Sequence, residues 1–221
     1  MSPELIRLVV ESTLETLYMV VAAGLLGTLL GLPLGVFLAT SQKGELFAAP
    51  LANRVIGTVV NATRSTPFII LVVAIIPFTR LLAGTSIGTT AAIVPLTVAA
   101  TPFIARIVET AIREVDQGLI EAAKAMGATP LQVVRKVLLP EALPGLTLGL
   151  TLTVVSLIGH SAMVGAVGGG GLGDLGIRFG YQRFMPDVMA LVVVVLIVLV
   201  QAVQSAGEAL ARRVNKRVRR D

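Results

Sequence analysis

The chain has 221 residues, 55% of them hydrophobic and 14% charged, with a mean hydropathy of +0.89 and a formal net charge of +5. Soluble domains average about 45–50% apolar and about 25% charged residues, so this composition excludes an ordinary soluble enzyme and fits an integral membrane protein. The absence of cysteine excludes disulfides, thiol nucleophiles and thiolate metal sites, and the single histidine, His160, excludes a multi-histidine metal cluster.

The N-terminus carries Glu4, Glu11 and Glu15 against Arg7 alone. A signal peptide begins with a basic region, so the first apolar span is expected to be retained. Five intervals are free of formal charge: 16–42, 65–79, 81–105, 142–173 and 188–207. A membrane helix needs roughly 20 apolar residues. Four intervals suffice; the second, bounded by Arg64 and Arg80, must extend back through Gly57. The runs are long and continuous rather than alternating, which disfavours a strand barrel. The expected fold is an all-α membrane protein, one transmembrane domain over 1–221, with five spans at about 16–40, 57–79, 87–106, 143–166 and 188–207.

The first span places Gly24, Gly27, Gly31 and Gly35 within about an 80° arc, at about 100° per residue. Gly27, Gly31 and Gly35 form a tandem GxxxG, a face for close helix packing. Its neighbour can lie in the same chain or in a second copy. Pro33 is expected to bend this helix. The second span places Arg64 near a membrane face, snorkelling or paired. Pro67, Pro77, Pro95 and Pro102 lie in the second and third spans, where proline frees backbone carbonyls and serves either as a hinge or as a tolerated irregularity. The third span runs on into Arg106, Glu109 and Arg113, with a Glu-to-Arg pair at i,i+4.

The stretch 116–140, DQGLIEAAKAMGATPLQVVRKVLLP, is the longest polar, well-capped interval between apolar spans. Asp116 is a natural N-cap and Gly127 a natural stop for one short helix. Thr129, Pro130 and Gln132 start a second with a capping box. Pro140 is expected to end it. An ordered amphipathic pair of this kind either docks a partner or lies on the membrane surface as a plain loop.

The fourth span is the most polar. Gly149, Thr153, Ser156, His160 and Met163 share about an 80° arc, and an intramembrane polar stripe faces the bundle interior or a pathway. Ser156, His160 and Met163 are the candidate pathway or gate residues, since a thioether is a soft plug that rearranges easily. His160 can be a substrate contact, a proton relay or a neutral histidine bonded to a neighbouring hydroxyl. No Asp or Glu lies in the five intervals, so a relay, and with it an ion-coupled secondary transporter, lacks its usual partners.

Gly171, Gly173 and Gly176 formally match GxGxxG, but a membrane helix rather than a strand precedes them, and the match is rejected. No Gly-Lys-Ser/Thr exists, so there is no Walker A loop. The glycine run reads as flexible external backbone, for close helix approach or a moving gate. Asp187 caps the fifth span, whose Gln201, Gln204 and Ser205 are expected to point into the bundle. Six of the eighteen Lys and Arg residues fall in the last ten positions, which suits a membrane surface better than nucleic acid. Basic residues flanking the spans follow the positive-inside rule with the C-terminus and 116–140 in the cytoplasm and the N-terminus outside.

Glu121-Ala122-Ala123, then Gly127, then Val137-Leu138-Leu139-Pro140 resembles the EAA motif of ATP-binding-cassette importer permeases, EAA-x3-G-x9-I-x-L-P, with Val137 in place of isoleucine. Segments over nearly the whole chain, among them NATRSTPFIILVVAIIPFTR and GAVGGGGLGDLG, look like the methionine-importer permease subfamily. The resemblance implies a permease subunit without catalysis of its own. Two copies would form the pathway, and two copies of a separate ATPase, carrying ATP and Mg, would dock in the cytoplasm. An extracytoplasmic binding lipoprotein would deliver methionine (D or L) across a bacterial inner membrane. Glu121, Ala122, Ala123, Gly127, Leu139 and Pro140 would couple to the ATPase, with Gly127 letting the two helices meet closely. Glu121 would accept a bond from the partner or cap its own helix from the first turn. Another small solute, such as a phosphonate, stands as the alternative cargo.

Overall fold

The computed structural model describes residues 3–214, and all regular structure among them is helical. The basic tail beyond Val214 lies outside the described residues. Among the described residues four helices are long and apolar enough to cross a membrane. They are α1 (Pro3–Thr40), α5 (Thr89–Arg113), a unit of α7 (Pro130–Val133) continued into α8 (Leu139–Gly165), and α10 (Pro186–Val214).

The second expected span is broken. Residues 57–79 belong to α2 (Pro50–Ser65), α3 (Phe68–Ala74) and α4 (Ile76–Ala83), and α2 and α3 meet at 106°. The prolines explain the breaks. Pro67 has no N–H and is the N-cap of α3, preceded by Thr66 in an extended conformation at ψ 125°; Pro77 sits in the first turn of α4. Pro95 and Pro102, by contrast, lie inside an unbroken α5, and α1 continues through Pro33.

The glycine face of α1 meets α5 of the same chain. A Cβ on Gly27 would lie 2.8 Å from Ala100 Cβ, and one on Gly31 would lie 2.7 Å from the carbonyl oxygen of Thr101; Gly35 meets Ala105 and Val108. The pairs advance together, so α1 and α5 run parallel. Gly145 faces Ala111 and Gly149 faces Ile107, so α8 returns antiparallel, and α10 packs Gly207 against Thr151. The main core is built from Met19, Leu96, Ile104, Val108, Leu157 and Ile158 where these helices meet. Large apolar side chains such as Leu25, Leu29, Leu81 and Val198 remain exposed on outer faces, as expected where lipid is the solvent. Gln201, Gln204 and Ser205 are also exposed rather than turned inward, and Gln204 donates to Glu208 at 3.4 Å one turn on.

The glycine run after α8 is packed, not loose. It leads into α9 (Gly171–Leu175), with Gly171, Leu172 and Leu175 buried. The Gly171 N–H donates to Glu15 Oε2 at 2.7 Å and the Leu172 N–H to Thr16 Oγ1 at 2.9 Å. Gly165 and Gly173 lie where α8 and α9 approach so closely that a Cβ on either would meet backbone. Leu172, Leu175, Val9, Val188 and Val192 form a second apolar cluster there.

Candidate functional site

Residues 116–140 form a capped helix pair fixed to the main core. The Asp116 side chain accepts from the Gly118 N–H at 2.7 Å and starts α6 (Gln117–Ala125). The Gly127 N–H donates to the Lys124 carbonyl at 2.9 Å and the Ala128 N–H to the Ala123 carbonyl at 3.0 Å, the paired bonds of a Schellman stop. Gly127 has φ +81°, the left-handed region, and a Cβ there would meet nothing within 4 Å. Glycine serves the turn's conformation, not a close approach of the two helices. Thr129 and Gln132 form the reciprocal capping box at the start of α7.

Pro140 does not end the second helix. The chain passes through one π-helical turn, Val134–Leu138, directly into α8. The Leu139 N–H donates to the Val134 carbonyl, five residues back. The missing N–H of Pro140 thus falls where the hydrogen-bond ladder has already widened, and the turn absorbs the defect. The second helix of the pair, α7, is therefore a continuous extension of the α8 rod, and α6 joins it through the Gly127 turn.

Ala123, Val133, Val134 and Leu138 are buried in the main core. Outside the apolar belt, water is the reference, and each buried Val or Leu contributes about 1.5–3 kcal/mol. Glu121, Ala122, Gly127 and Pro140 are exposed, Leu139 is half-buried, and Leu119, Met126 and Leu131 present uncovered apolar surface beside them. Glu121 is the fifth residue of α6, beyond its first turn, and Asp116 already caps that end. Among the described residues Glu121 has no ion pair or hydrogen bond to a side chain, so the self-capping role is set aside.

A second feature lies deeper. A cleft of about 370 Å³ is lined by Thr63, Arg64 and Thr66 from α2 and its end, Phe68 from α3, Phe103 from α5, and Ser156 and His160 from α8. The helix register fixes its level. Its walls include Ala100 and Leu157, which face Gly27 and Gly24 of α1, near the middle of that helix's charge-free interval. His160 stacks on Phe68 with ring centroids 4.3 Å apart and planes 21° from parallel, and makes no hydrogen bond among the described residues. Arg64 is exposed and lines the cleft. Its guanidinium lies over Phe103 at 5.7 Å, because the break at Thr66–Pro67 brings the end of α2 onto α5. Met163 is exposed and outside the cleft, while Ser156 and His160 line it.

The helix pair and the cleft are joined by charge. Glu109, almost fully buried on α5, pairs with Arg106 at 2.5 Å and Arg113 at 2.6 Å. Arg106 also donates to the Gly57 carbonyl of α2 at 3.0 Å. That bond fastens α2, whose last turn carries Arg64, to α5, whose end leads into the helix pair. The opposite wall, Ser156 and His160, rides on α8, which is continuous with α7. Sequence reasoning missed Arg64 and Phe68 as lining residues; the signal was Ser65-Thr66-Pro67, a helix break in the middle of an apolar run.

The family model described as "Binding-protein-dependent transport system inner membrane component" matches residues 31–220. The "Probable D-methionine transport system permease protein MetI" of Vibrio cholerae is 58% identical over 210 residues, covering 95% of this chain and 93% of that protein. The protein of the same description from Pasteurella multocida is 49% identical over 217 residues, 98% of this chain and 100% of that one. Among solved structures, an inward-facing conformation of the MetNI methionine ABC transporter in its native crystal form superposes with a TM-score of 0.96 at 52% identity, covering 98% of this chain and 100% of that chain. An amino acid ABC transporter with histidines shares the fold, with a TM-score of 0.78 at 20% identity over 94% of each chain.

Proposed function

The chain belongs to the family of binding-protein-dependent transport system inner membrane components, and on that premise we propose that it is the membrane subunit of an ATP-driven importer of methionine, in its D or L form. It forms the pathway with a second copy of itself in the bacterial inner membrane, takes cargo from an extracytoplasmic binding lipoprotein, and borrows hydrolysis of ATP with Mg from two copies of a separate ATPase. The helix pair 116–140 faces the cytoplasm and inserts into the ATPase, with Glu121, Ala122, Ala123, Gly127, Leu139 and Pro140 at or near the contact. Met163 gates the path beyond the cleft.

The observation that carries this reading is the rigid attachment of an exposed, capped helix pair to the rods that wall a mid-bundle cleft. ATPase closure shifts the membrane equilibrium only through contacts that differ between two states, and displacement of the pair moves α8 directly and α2 through Arg106. Glu121, exposed and without an ion pair among the described residues, is available to accept a bond from the ATPase.

The test is methionine uptake into vesicles holding the permease with its ATPase and binding protein. ATP-dependent uptake is expected. Uptake that persists without ATP and follows a proton gradient overturns the reading.

A further inference from the structure

The cleft has a chemistry that packing alone does not require. Protein interiors leave few voids larger than a water, and Arg64, an exposed residue directly before a charge-free apolar run, lines this one. Among the described residues Arg64 has no carboxylate partner; its guanidinium only overlies Phe103. Among the described residues no Asp or Glu lines the cleft, and Arg64 is its single cation.

The hydroxyls beside it are already committed as donors. Thr63 Oγ1 donates to the Val59 carbonyl at 3.0 Å, Thr66 Oγ1 to the Ala62 carbonyl at 3.2 Å, and Thr153 Oγ1 to the Gly149 carbonyl at 2.9 Å. Their remaining capacity is to accept. The cleft thus offers one planar cationic fork, several neutral acceptors and an aromatic stack, Phe68 on His160. A guanidinium fork matches a carboxylate, neutral acceptors suit an ammonium, and a thioether packs well against aromatic rings.

We propose that this cleft is an amino-acid site within the membrane portion of the permease: Arg64 holds the α-carboxylate, the threonine oxygens accept from the ammonium, and the Phe68–His160 stack receives the side chain. The site deepens the importer reading above and rests on it. One cation with neutral acceptors suits a monocarboxylate zwitterion rather than a doubly charged phosphonate.

The chain has no cysteine, so Ala99→Cys, on the cleft wall, provides this subunit with one thiol. The complex with its ATPase is reconstituted in nanodiscs, and labelling of that thiol by a charged methanethiosulfonate is timed with methionine or with methioninamide, which lacks the carboxylate. Methionine should slow labelling at least threefold and methioninamide should not. Arg64→Gln should abolish the protection and Arg64→Lys keep part of it. In the cysteine-free chain, Arg64→Gln should lower methionine taken up per ATP at least tenfold while the complex still assembles and hydrolyses ATP. Equal protection or equal uptake with Arg64→Gln, or no protection by methionine in a complex that does import it, overturns the site. Unaltered complex is assayed first: if it imports no methionine with ATP, the importer reading itself fails.

Discussion

A Cβ on Gly31 would sit 2.7 Å from the carbonyl oxygen of Thr101. The obstacle is backbone, so no rotamer change relieves it, and the two parallel helices touch there because one of them has no side chain. Gly31→Val should therefore push α1 off α5, with an overpacking cost of about 1–3 kcal/mol. Gly24→Ala, whose Cβ would meet Leu157 Cδ1 at an ordinary 3.7 Å, is the control. Thermal denaturation in detergent should separate the two; equal melting temperatures would show that the glycine face does not hold these helices together.

The turn at Gly127 makes a different demand. Its φ of +81° penalises any L side chain, by about 1–2 kcal/mol for an ordinary residue and less for asparagine, yet nothing nearby would collide with one. Uptake should therefore fall in the order Gly, Asn, Val. Gly127→Asp should leave the chain in the membrane but prevent the ATPase from co-purifying. Retention of the ATPase and normal uptake by Gly127→Asp would remove this turn from the docking surface.

Glu109 is the buried member of a three-residue ion cluster, with 7% of its side chain exposed against 24% for Arg106 and 45% for Arg113. Glu109→Gln leaves two arginines facing a neutral amide and should destabilise the complex by about 1–3 kcal/mol. Arg113→Ala removes the more exposed of the two arginines and leaves Glu109 paired with Arg106, so it should cost less, under about 1 kcal/mol. Denaturation midpoints of the two variants provide the comparison; a larger effect at Arg113 would contradict the burial argument.

These sites differ in how far the sequence alone reveals them. The caps of Asp116 and Thr129–Gln132 are local chemistry, written within three residues, and the structure contains both. The glycine face of α1 is also periodic in the sequence, but which helix fills it depends on chain topology and only the structure identifies α5. Arg64 shows the limit most clearly. Charge counting places it near a membrane face, snorkelling or paired, but does not show that the break at Thr66–Pro67 sets its guanidinium over Phe103 and beside the cleft. Pro140 marks a helix end by propensity, and a single π-helical turn overrides it. In each case a long-range contact or a ladder defect decides what local preference cannot.

Glu15 joins α1 to the glycine-rich turn across 156 positions of sequence, its Oε2 accepting from the Gly171 N–H at 2.7 Å. Next to it Thr16 Oγ1 accepts from Leu172 N–H, so two adjacent residues of one helix satisfy the first donors of α9. A hydrogen bond to a charged acceptor contributes about 1.5–3 kcal/mol, and a neutral one about 0.5–1.5 kcal/mol. Glu15 is itself exposed while Thr16 is buried, and glutamine at 15 would keep an oxygen acceptor for the Gly171 N–H whereas valine at 16 would leave none for that of Leu172. Glu15→Gln should accordingly speed hydrogen exchange at Gly171 only modestly, whereas Thr16→Val, which leaves the buried Leu172 N–H without a partner, should speed exchange at Leu172 more strongly and lower the denaturation midpoint. Exchange resolved by mass spectrometry over 168–176 reads both. Faster exchange in Glu15→Gln than in Thr16→Val would mean that the charge, not the buried hydroxyl, holds this turn against α1.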